Sequence, residues 1–471
     1  MIKYLFLILL VIVFISAYIY SFYVSILSEF TIYGIFLSLF FMMQLLFSFL
    51  NHRTNLYFQD KNYNTRILSG EIEEAPFGIV LLVVGHQERK DYWRRCLISI
   101  RNINRRFLRG IYIIIDGDTE KDEYMSEFAH EIMDDEAKTI HISHRGKRGA
   151  MFYGFQCIKN DFIDSIENLD VVVTDSDTEL HHDSLLALQR CLRSHPNNGC
   201  ATGLLDIYNV NDGILPRIVN ARYAYAFVIE RGATSYFGCM TCCSGPISIY
   251  KLSVIDEMIM QKFITQKFLS VKCEPGDDRH LTNLVLAKGY FARQTNLSIA
   301  STESPETWKR FLNQQLRWSR SYYRELYWLL KAIPHQSSYL CLVVSYETLF
   351  PLFIFIYFIT LLFFNNDLSI LYKGFIISIV ILMVRTMALF FYLQNCDVFY
   401  NLLYYPMYIC LLLPTKIYAI LSTLNNNWVT AARNSNPLSC SLSFHHYFLM
   451  AWNLLIMAGI VRYILTSLDL F

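Results

Sequence analysis

The sequence has 471 residues, of which 54% are hydrophobic and only 17% are charged. Soluble domains carry about 25% charged residues, so the composition excludes intrinsic disorder and argues against an ordinary cytosolic enzyme. The 41 Lys and Arg residues balance the 40 Asp and Glu residues, which leaves no bulk charge to attract nucleic acid. The twelve cysteines have no framework spacing, which is typical of reduced thiols in a chain that faces the cytosol.

Two long uncharged stretches occupy the start of the chain, from Tyr4 to Leu27 and from residue 30 to 50. Each exceeds the roughly 20 residues that a bilayer-spanning helix needs. A cleaved signal peptide is the alternative, but its apolar run would be shorter and no second run would follow at once. Because Lys3 precedes this hairpin and Arg53 follows it, the positive-inside rule places both ends in the cytosol. We predict a transmembrane hairpin over residues 1–52.

Residues 53–304 contain most of the charge, and short apolar runs alternate there with helical patterns. The predicted strands are Phe77–Val84, Ile111–Ile115, Lys138–Ser143 and Val171–Thr174. This alternation predicts βαβ units and a mostly parallel sheet, which is a Rossmann-like α/β fold. Ligands bind beyond the carboxyl ends of the strands in such sheets, and Glu88, Asp116 and the Asp175-Ser176-Asp177 run fall there.

Apolar stretches resume in the last part of the chain, over residues 340–364, 368–393, 399–424 and 447–468. The third contains Pro406, Pro414 and Lys416, so we predict a broken interfacial helix, which leaves residues 425–443 on the cytosolic side. This gives five spans in all, with six as the alternative.

Glu347 lies inside the first of these stretches, and Lys373 and Arg385 lie inside the second. Intramembrane charges are costly and face a partner or a cavity. They predict either an ion pair between neighbouring helices or a wet polar conduit.

The Asp175-Ser176-Asp177 run follows a predicted buried strand. Alternate residues there can direct two carboxylates at one divalent cation, which prefers oxygen ligands. Such a cation suits a nucleotide diphosphate, whose leaving group gains negative charge as its bond breaks. An exposed acidic turn or a helix cap is the alternative.

Two further motifs begin predicted helices. Asp278, in Gly276-Asp277-Asp278-Arg279, is either a helix cap or a base that takes a proton from a sugar hydroxyl. Lys147 and Arg148 follow Gly146, where a helix start can receive phosphate, although a solvated basic pair is equally expected.

The segment 305–338 predicts a basic, aromatic helix. Gln314, Arg317 and Trp318 share one face because they are three and four residues apart. Arginine offers planar donors for a diphosphate, and tryptophan offers a flat apolar face for a sugar ring. The alternative is an amphipathic helix anchored on the membrane by its Arg and Trp residues, and the two interpretations are compatible.

The order of these motifs resembles that of the processive family-2 glycosyltransferases. The matching strings are DSD at 175–177, CSGP at 243–246, GDDRHLTN at 276–283 and QQLRW at 314–318. GDDRHLTN together with SGPISIYK at 244–251 is most similar to hyaluronan synthases, whereas chitin-oligosaccharide and cellulose synthases share the DxD, acidic and QxxRW motifs. The resemblance implies a cytosolic GT-A domain fused to a transmembrane channel over residues 339–471, UDP-sugar donors, Mn²⁺ or Mg²⁺, and an inverting displacement.

The resemblance also implies a role for each matched residue. Asp278 is the expected general base, and Asp177 is the expected metal ligand, with Asp175 nearer the nucleotide. The residues expected to hold UDP are Glu88, Asp116, Lys147, Arg148, Gln314 and Arg317. The residues expected at the acceptor are Trp318, Cys242, Ser244 and Gly245.

The chain departs from the animal members of that family in two places. A gating loop over residues 425–443 keeps Trp428 and Thr430, but Val429 replaces a glycine, which reduces the backbone freedom expected there. Only one apolar stretch follows this loop, where the animal enzymes have two, so the exit side of the channel is expected to differ.

The main functional hypothesis is a plasma-membrane hyaluronan synthase with a cytosolic catalytic domain, which polymerises UDP-GlcNAc and UDP-GlcA and secretes the growing polysaccharide. A chitin or chito-oligosaccharide synthase, which uses UDP-GlcNAc alone, is the alternative. A non-catalytic transporter that retains a sugar-nucleotide domain is the third hypothesis. Its prediction is that replacing Asp278 leaves function intact. The lipid bilayer is an expected partner in each case, and nucleic acid is not.

Overall fold

The computed structural model describes residues 2–24, 32–59, 77–117, 120–365, 368–425 and 443–467. The gating-loop residues Trp428 and Thr430 lie outside the described residues. The strands are β1 Gly78–Gly85, β2 Leu108–Asp116, β3 Lys138–Ile142, β4 Leu169–Asp175, β5 Glu179–Leu180, β6 Asn198–Ile207, β7 Ser248–Lys251, β8 Lys267–Phe268, β9 Val271–Lys272 and β10 Phe291–Thr302.

The helices of the N-terminal and catalytic parts are α1 Ile2–Val24, α2 Ile32–Gln59, α3 Lys90–Arg101, α4 Glu120–Met133, α5 Gly146–Asp161, α6 Ser184–Arg193, α7 Ile214–Tyr225, α8 Gly232–Tyr236, α9 Glu257–Ile264 and α10 Asp277–Ala287. Those that follow are α11 Trp308–Ala332, α12 Tyr339–Phe364, α13 Leu368–Leu393, α14 Asn401–Met407, α15 Leu413–Leu421 and α16 Phe444–Ser467. A π-helical turn, Ala226–Arg231, joins α7 to α8, and a second one, Tyr408–Leu412, joins α14 to α15.

Eight strands form one sheet in the order β3-β2-β1-β4-β7-β6-β10-β5. The half built from β3, β2, β1 and β4 is parallel throughout, and β7 runs antiparallel to both of its neighbours. The predicted α/β fold is therefore confirmed. The parallel half places the carboxyl ends of β1, β2 and β4 at one edge.

Both faces of the parallel half are buried, which explains why its strands are continuous apolar runs. Every residue of β1 is buried. Side chains alternate along it, so Leu81 packs with Trp93 in one core, whereas Leu82 packs with Phe155 in the other.

Among the residues that the structure describes, three helical segments are long and apolar enough to cross a membrane: Tyr339–Phe364, Cys396–Leu421 and Phe444–Thr466. The second corresponds to the predicted interfacial helix, and it is interrupted, as predicted, by the turn Tyr408–Leu412 between Pro406 and Pro414. Its length and composition nevertheless allow it to span. The helices α1, α2 and α13 occupy the other predicted spans, and the count of five remains a prediction.

Glu347 and Arg385 do not pair with each other. Arg385 Nε donates to the Tyr225 hydroxyl at 2.7 Å, and the Arg385 Nη2 atom lies 3.9 Å from Glu230 Oε1. Glu347 instead lines a cleft that continues from the catalytic domain. The ion-pair interpretation of Glu347 and Arg385 is therefore wrong, because the catalytic domain supplies the carboxylate that faces Arg385.

Candidate active site

A cleft of about 1240 Å³ opens at the carboxyl edge of the parallel strands. Its walls come from the ends of β1, β2 and β4, the start of α10, and one face of α11. The predicted site residues that line it are Glu88, Asp116, Lys147, Asp175, Asp177, Cys242, Ser244, Gly245, Asp278, Gln314, Arg317 and Trp318. Segments far apart in sequence thus meet at one edge, as the strand-end pattern predicted.

The DSD turn presents its two aspartates and buries its serine. Asp175 and Asp177 are half-buried and line the cleft, whereas Ser176 is buried and donates to Glu88 Oε2 at 3.1 Å. Glu88 Oε1 accepts from the Arg89 backbone N–H at 3.0 Å. The Glu88 carboxylate therefore ties the loop after β1 to the DSD turn. Asp175 and Asp177 offer carboxylate oxygens on one side of the cleft, a donor set that fits a hard divalent cation.

Lys147 bridges two acidic motifs. Its Nζ atom lies 2.7 Å from Asp175 Oδ1 and 2.9 Å from Asp277 Oδ2. Burial alone would raise the pKa of Asp277, but the Lys147 cation beside it holds that pKa below its usual value. Burial likewise opposes the charge of Lys147, and the two carboxylates outweigh burial and raise its pKa. Sequence reasoning passed over Asp277, although its place in the GDDR string was the available signal.

Arg148 does not face the cleft, which corrects the expected role in nucleotide binding. Its side chain is buried and donates to three backbone carbonyls, those of Glu274, Phe263 and Pro275, at 3.1, 3.1 and 3.4 Å. The helical rotation of about 100° per residue explains the difference, because Lys147 and its neighbour on α5 cannot point the same way. Arg148 braces the loop that leads into α10.

Asp278 lies in the first turn of α10, where the helix dipole favours a carboxylate. The Arg279 backbone N–H donates to Asp278 Oδ1 at 2.7 Å, and Cys242 Sγ lies 3.3 Å from Asp278 Oδ2. Burial and the nearby Asp278 carboxylate raise the pKa of Cys242 to about 12, so this residue stays a thiol and donates to Asp278. These contacts fix the Asp278 carboxyl group at the cleft wall.

The turn at Ser244-Gly245 approaches the DSD turn closely. A Cβ atom on Gly245 would lie 2.9 Å from Asp175 Oδ2 and 3.1 Å from Lys147 Nζ, so a side chain there would displace the ends of these two side chains. Ser244 Oγ accepts a hydrogen bond from Arg231 Nη1 at 2.5 Å. Sequence reasoning missed Arg231, which no motif contained.

Asp116 is buried at the end of β2, where its carboxylate accepts from the Arg145 backbone N–H at 2.7 Å. His144 Nδ1 lies 3.0 Å from the other carboxylate oxygen. His86, Asp116 and His144 each offer a ligand atom within 4.8 Å of the others, so these three residues could hold a cation. Sequence reasoning missed both histidines, because the strand ends that carry them meet only in the folded sheet.

The three residues of the QxxRW motif line the cleft together, as their helical spacing predicted. Burial lowers the pKa of Arg317, and the carboxylates of Asp277 and Asp278 act against that effect. Trp318 is 38% exposed, and its ring centroid lies 6.3 Å from that of Tyr223. The motif therefore places a cation near the acidic cluster and an accessible aromatic face beside it.

A buried polar network fixes α11 against α10. Glu325 Oε2 lies 3.1 Å from His280 Nδ1 and accepts from Asn283 Nδ2 at 3.0 Å, while Glu325 Oε1 accepts from Gln266 Nε2 at 2.5 Å. All four side chains are buried. We call these residues the Glu325 network. It sets how the helix with Arg317 sits against the helix with Asp278.

Comparisons with known proteins agree with this geometry. A family model described as "Glycosyltransferase like family 2" matches residues 76–321. The chain is 31% identical to hyaluronan synthase 3 of Mus musculus, over 86% of this chain and 78% of that protein, and 31% identical to hyaluronan synthase 2 of Gallus gallus, over 86% and 77%. The chain belongs to the hyaluronan synthase family.

A solved mannosyltransferase from Pyrobaculum calidifontis, in complex with GDP-Man and Mn²⁺, is 13% identical and covers 81% of this chain and 98% of that one, with a TM-score of 0.45. Membership in the hyaluronan synthase family confirms the predicted GT-A glycosyltransferase fused to membrane helices. It favours a hyaluronan synthase over a chitin synthase. A purely non-catalytic transporter is not supported, and the chain is an integral membrane enzyme.

Proposed function

We propose that this protein joins sugar units from UDP-GlcNAc and UDP-GlcA into hyaluronan and passes the growing chain across the membrane. One observation carries the proposal. The cleft that contains Asp278 and the DSD turn is continuous with Glu347 on α12 and Lys416 on α15. A product formed at the acidic edge of the sheet can therefore enter the space between the apolar helices without leaving the protein.

The residues divide the chemistry between them. Asp278 takes the proton from the acceptor hydroxyl, which is a poor nucleophile until it is deprotonated. Arg317 and Lys147 stabilise the negative charge that develops on UDP as it departs. A single base is sufficient because a charge-neutralised diphosphate is already a good leaving group. The acceptor hydroxyl attacks opposite UDP, so the configuration at the sugar carbon inverts.

The proposed cofactor is Mn²⁺ or Mg²⁺, held by Asp177 and Asp175. Bound there, the ion would neutralise the diphosphate as the bond breaks. Two carboxylates facing the cleft are the oxygen ligands that these hard cations prefer. Glu88 would act by fixing the DSD turn. Asp116 would contact the uridine at the end of β2.

The acceptor is proposed to stack on Trp318, which is partly exposed and lines the same cleft as the turn that contains Cys242, Ser244 and Gly245. The catalytic domain is proposed to face the cytosol at the plasma membrane, where UDP-sugars are available. The gating role of Trp428 and Thr430 remains a prediction.

The test is a donor assay on the purified protein in lipid nanodiscs with Mn²⁺. Both UDP-sugars together should give a polymer that hyaluronidase digests completely, and neither donor alone should give one. A polymer from UDP-GlcNAc alone that chitinase digests would overturn the proposal and support a chitin or chito-oligosaccharide synthase.

A further inference from the structure

Several Lys and Arg side chains that line the cleft form an ion pair with a carboxylate of the protein. Lys147 contacts Asp175 and Asp277, and Arg222 Nη2 lies 2.8 Å from Glu230 Oε2. Arg231 also lines the cleft, but its contact is with a neutral hydroxyl. Within the part of the chain that the structure describes, no carboxylate forms an ion pair with it. Arg231 therefore brings an uncompensated positive charge to the cleft wall.

The chain holds the Arg231 guanidinium in a defined place. Arg231 ends the π-helical turn Ala226–Arg231, a rare backbone form that is frequent at functional sites. The guanidinium carbon lies 4.0 Å from the centroid of the Phe227 ring, and one edge of the group donates to Ser244 Oγ. A guanidinium has five N–H donors in a rigid fork, so these two contacts leave donors for an anionic ligand.

Arg231 lies next to the proposed reaction centre. Its partner Ser244 lies in the chain between Cys242 and Gly245. Cys242 contacts the base Asp278, and the backbone at Gly245 lies close to the Asp175 carboxylate. The base must reach the acceptor hydroxyl, and the DSD turn must reach the donor diphosphate. Arg231 is therefore beside the place where donor sugar and chain end meet.

Charge makes this location selective. Asp175, Asp177 and Asp278 surround the same space, and their carboxylates repel a substrate that carries a carboxylate of its own. A neutral N-acetylglucosamine unit has no such charge and needs no cation. Glucuronate carries such a charge, and a cation beside these three carboxylates offsets the repulsion.

We propose that Arg231 binds the carboxylate of the glucuronate unit, either on the incoming donor or at the end of the growing chain. This inference rests on the proposed function, since only an enzyme that handles glucuronate uses such a contact. Two other cations of the cleft are less suited to this role. Arg279 is close to the carboxylates of Asp278 and Glu347, which offset its charge, and Lys416 belongs to the membrane side.

The test compares Arg231→Gln, which keeps a donor for Ser244 but removes the charge, with Arg231→Lys, which keeps the charge. The exposed Arg106, outside the cleft, gives the matched control Arg106→Gln. Equilibrium binding of UDP-GlcA and of UDP-GlcNAc is measured for each protein. Enzyme that carries a nascent chain is then washed free of donors and given a pulse of one labelled donor.

Arg231→Gln should weaken a glucuronate-dependent step at least about tenfold, the loss expected for one hydrogen bond to a charged group, and Arg231→Lys should restore most of it. Weaker UDP-GlcA binding identifies the donor as the source of the carboxylate. Unchanged binding with slow addition of GlcNAc to glucuronate-ended chains identifies the chain end. UDP-GlcNAc binding should match that of Arg106→Gln.

Equal losses for both donors, or no loss in either measurement, would overturn the role of Arg231. If Arg231→Gln does not fold, the lysine variant decides, since it should keep the preference between donors that the wild type shows. Failure of the proposed function looks different, because the wild-type protein itself would then incorporate no glucuronate.

Discussion

Removing the carboxylate of Glu325 should loosen the packing between the helices that carry Asp278 and Arg317. The Glu325 network joins α11 to α10, and its members are buried. Glu325→Ala would leave the side chains of His280, Asn283 and Gln266 buried without their acceptor. Glu325→Gln keeps one acceptor oxygen and should have a smaller effect.

The magnitude follows from the contacts. A buried polar group left without its hydrogen-bond partner costs about 1–3 kcal/mol, so the loss of three such contacts should cost roughly 3–5 kcal/mol. For a domain of this size, each kcal/mol lowers the melting temperature by about 2–4 °C, so Glu325→Ala should lower it by about 10 °C. The exposed Glu306 gives the control Glu306→Ala, which should shift it by less than about 2 °C.

The dependence on pH has a defined sign. Burial alone would raise the pKa of Glu325, but His280 and the two amide donors hold it below its usual value. A carboxylate with a lowered pKa stabilises the folded state fully above its unfolded pKa of about 4.3, and this stabilisation is lost as pH falls through the folded value. The gap in melting temperature between wild type and Glu325→Gln should therefore be constant near neutral pH and narrow in acid.

Thermal unfolding of the nanodisc-embedded protein, followed by intrinsic fluorescence, measures these shifts. Turnover measured well below the melting temperature should also fall in Glu325→Ala, while UDP affinity changes less, because the network sets the position of Asp278 relative to Arg317. If Glu325→Ala had the same melting temperature as Glu306→Ala, the network would not stabilise the fold. If the gap between wild type and Glu325→Gln widened in acid, the ionised carboxylate would not be the stabilising form.

Three further predictions concern the cleft itself. Asp278→Asn should reduce turnover by about 10²–10⁴-fold with UDP affinity unchanged, and the exposed control Asp212→Asn should retain full activity; loss of UDP binding in the first variant would argue against a base. Gly245→Ala should weaken UDP-sugar binding, measured by calorimetry, because its Cβ would lie 2.9 Å from Asp175 Oδ2; binding at wild-type strength would show that the turn moves freely. Chelation with EDTA should stop turnover reversibly, and Asp177→Asn should raise the Mn²⁺ concentration needed for half-maximal activity; an unchanged Mn²⁺ requirement would exclude Asp177 as a ligand.

The parallel half of the sheet could be predicted because its strands are buried on both faces and therefore appear as apolar runs. Strand β10 gave no such signal, since its interior carries buried polar residues such as Gln294, Thr295 and Ser298. Strand β7 has only four residues, too few for a periodic pattern. These strands are held by pairing with distant neighbours, which a single sequence does not display.

The candidate site divides in the same way. Asp175, Asp177, Asp278 and Arg317 could be found because each belongs to a short string with a recognisable spacing. Arg231 belongs to no such string, and it reaches the cleft only because a π-helical turn directs it there. The predicted role of Arg148 in nucleotide binding was wrong for the opposite reason. Its string was recognised, but α5 directs the Arg148 side chain into the interior.

In the proposed function, one active site uses two donors in alternation. The most direct measurement is the ratio of labelled GlcNAc to labelled GlcA in polymer made by the purified protein. Two reactions are compared, one with UDP-GlcNAc in excess and one with UDP-GlcA in excess. We expect equal amounts of GlcNAc and GlcA in the polymer whichever donor is in excess, and we expect hyaluronidase to degrade that polymer. A ratio that follows the donor supply, or polymer that lacks glucuronate, would contradict it.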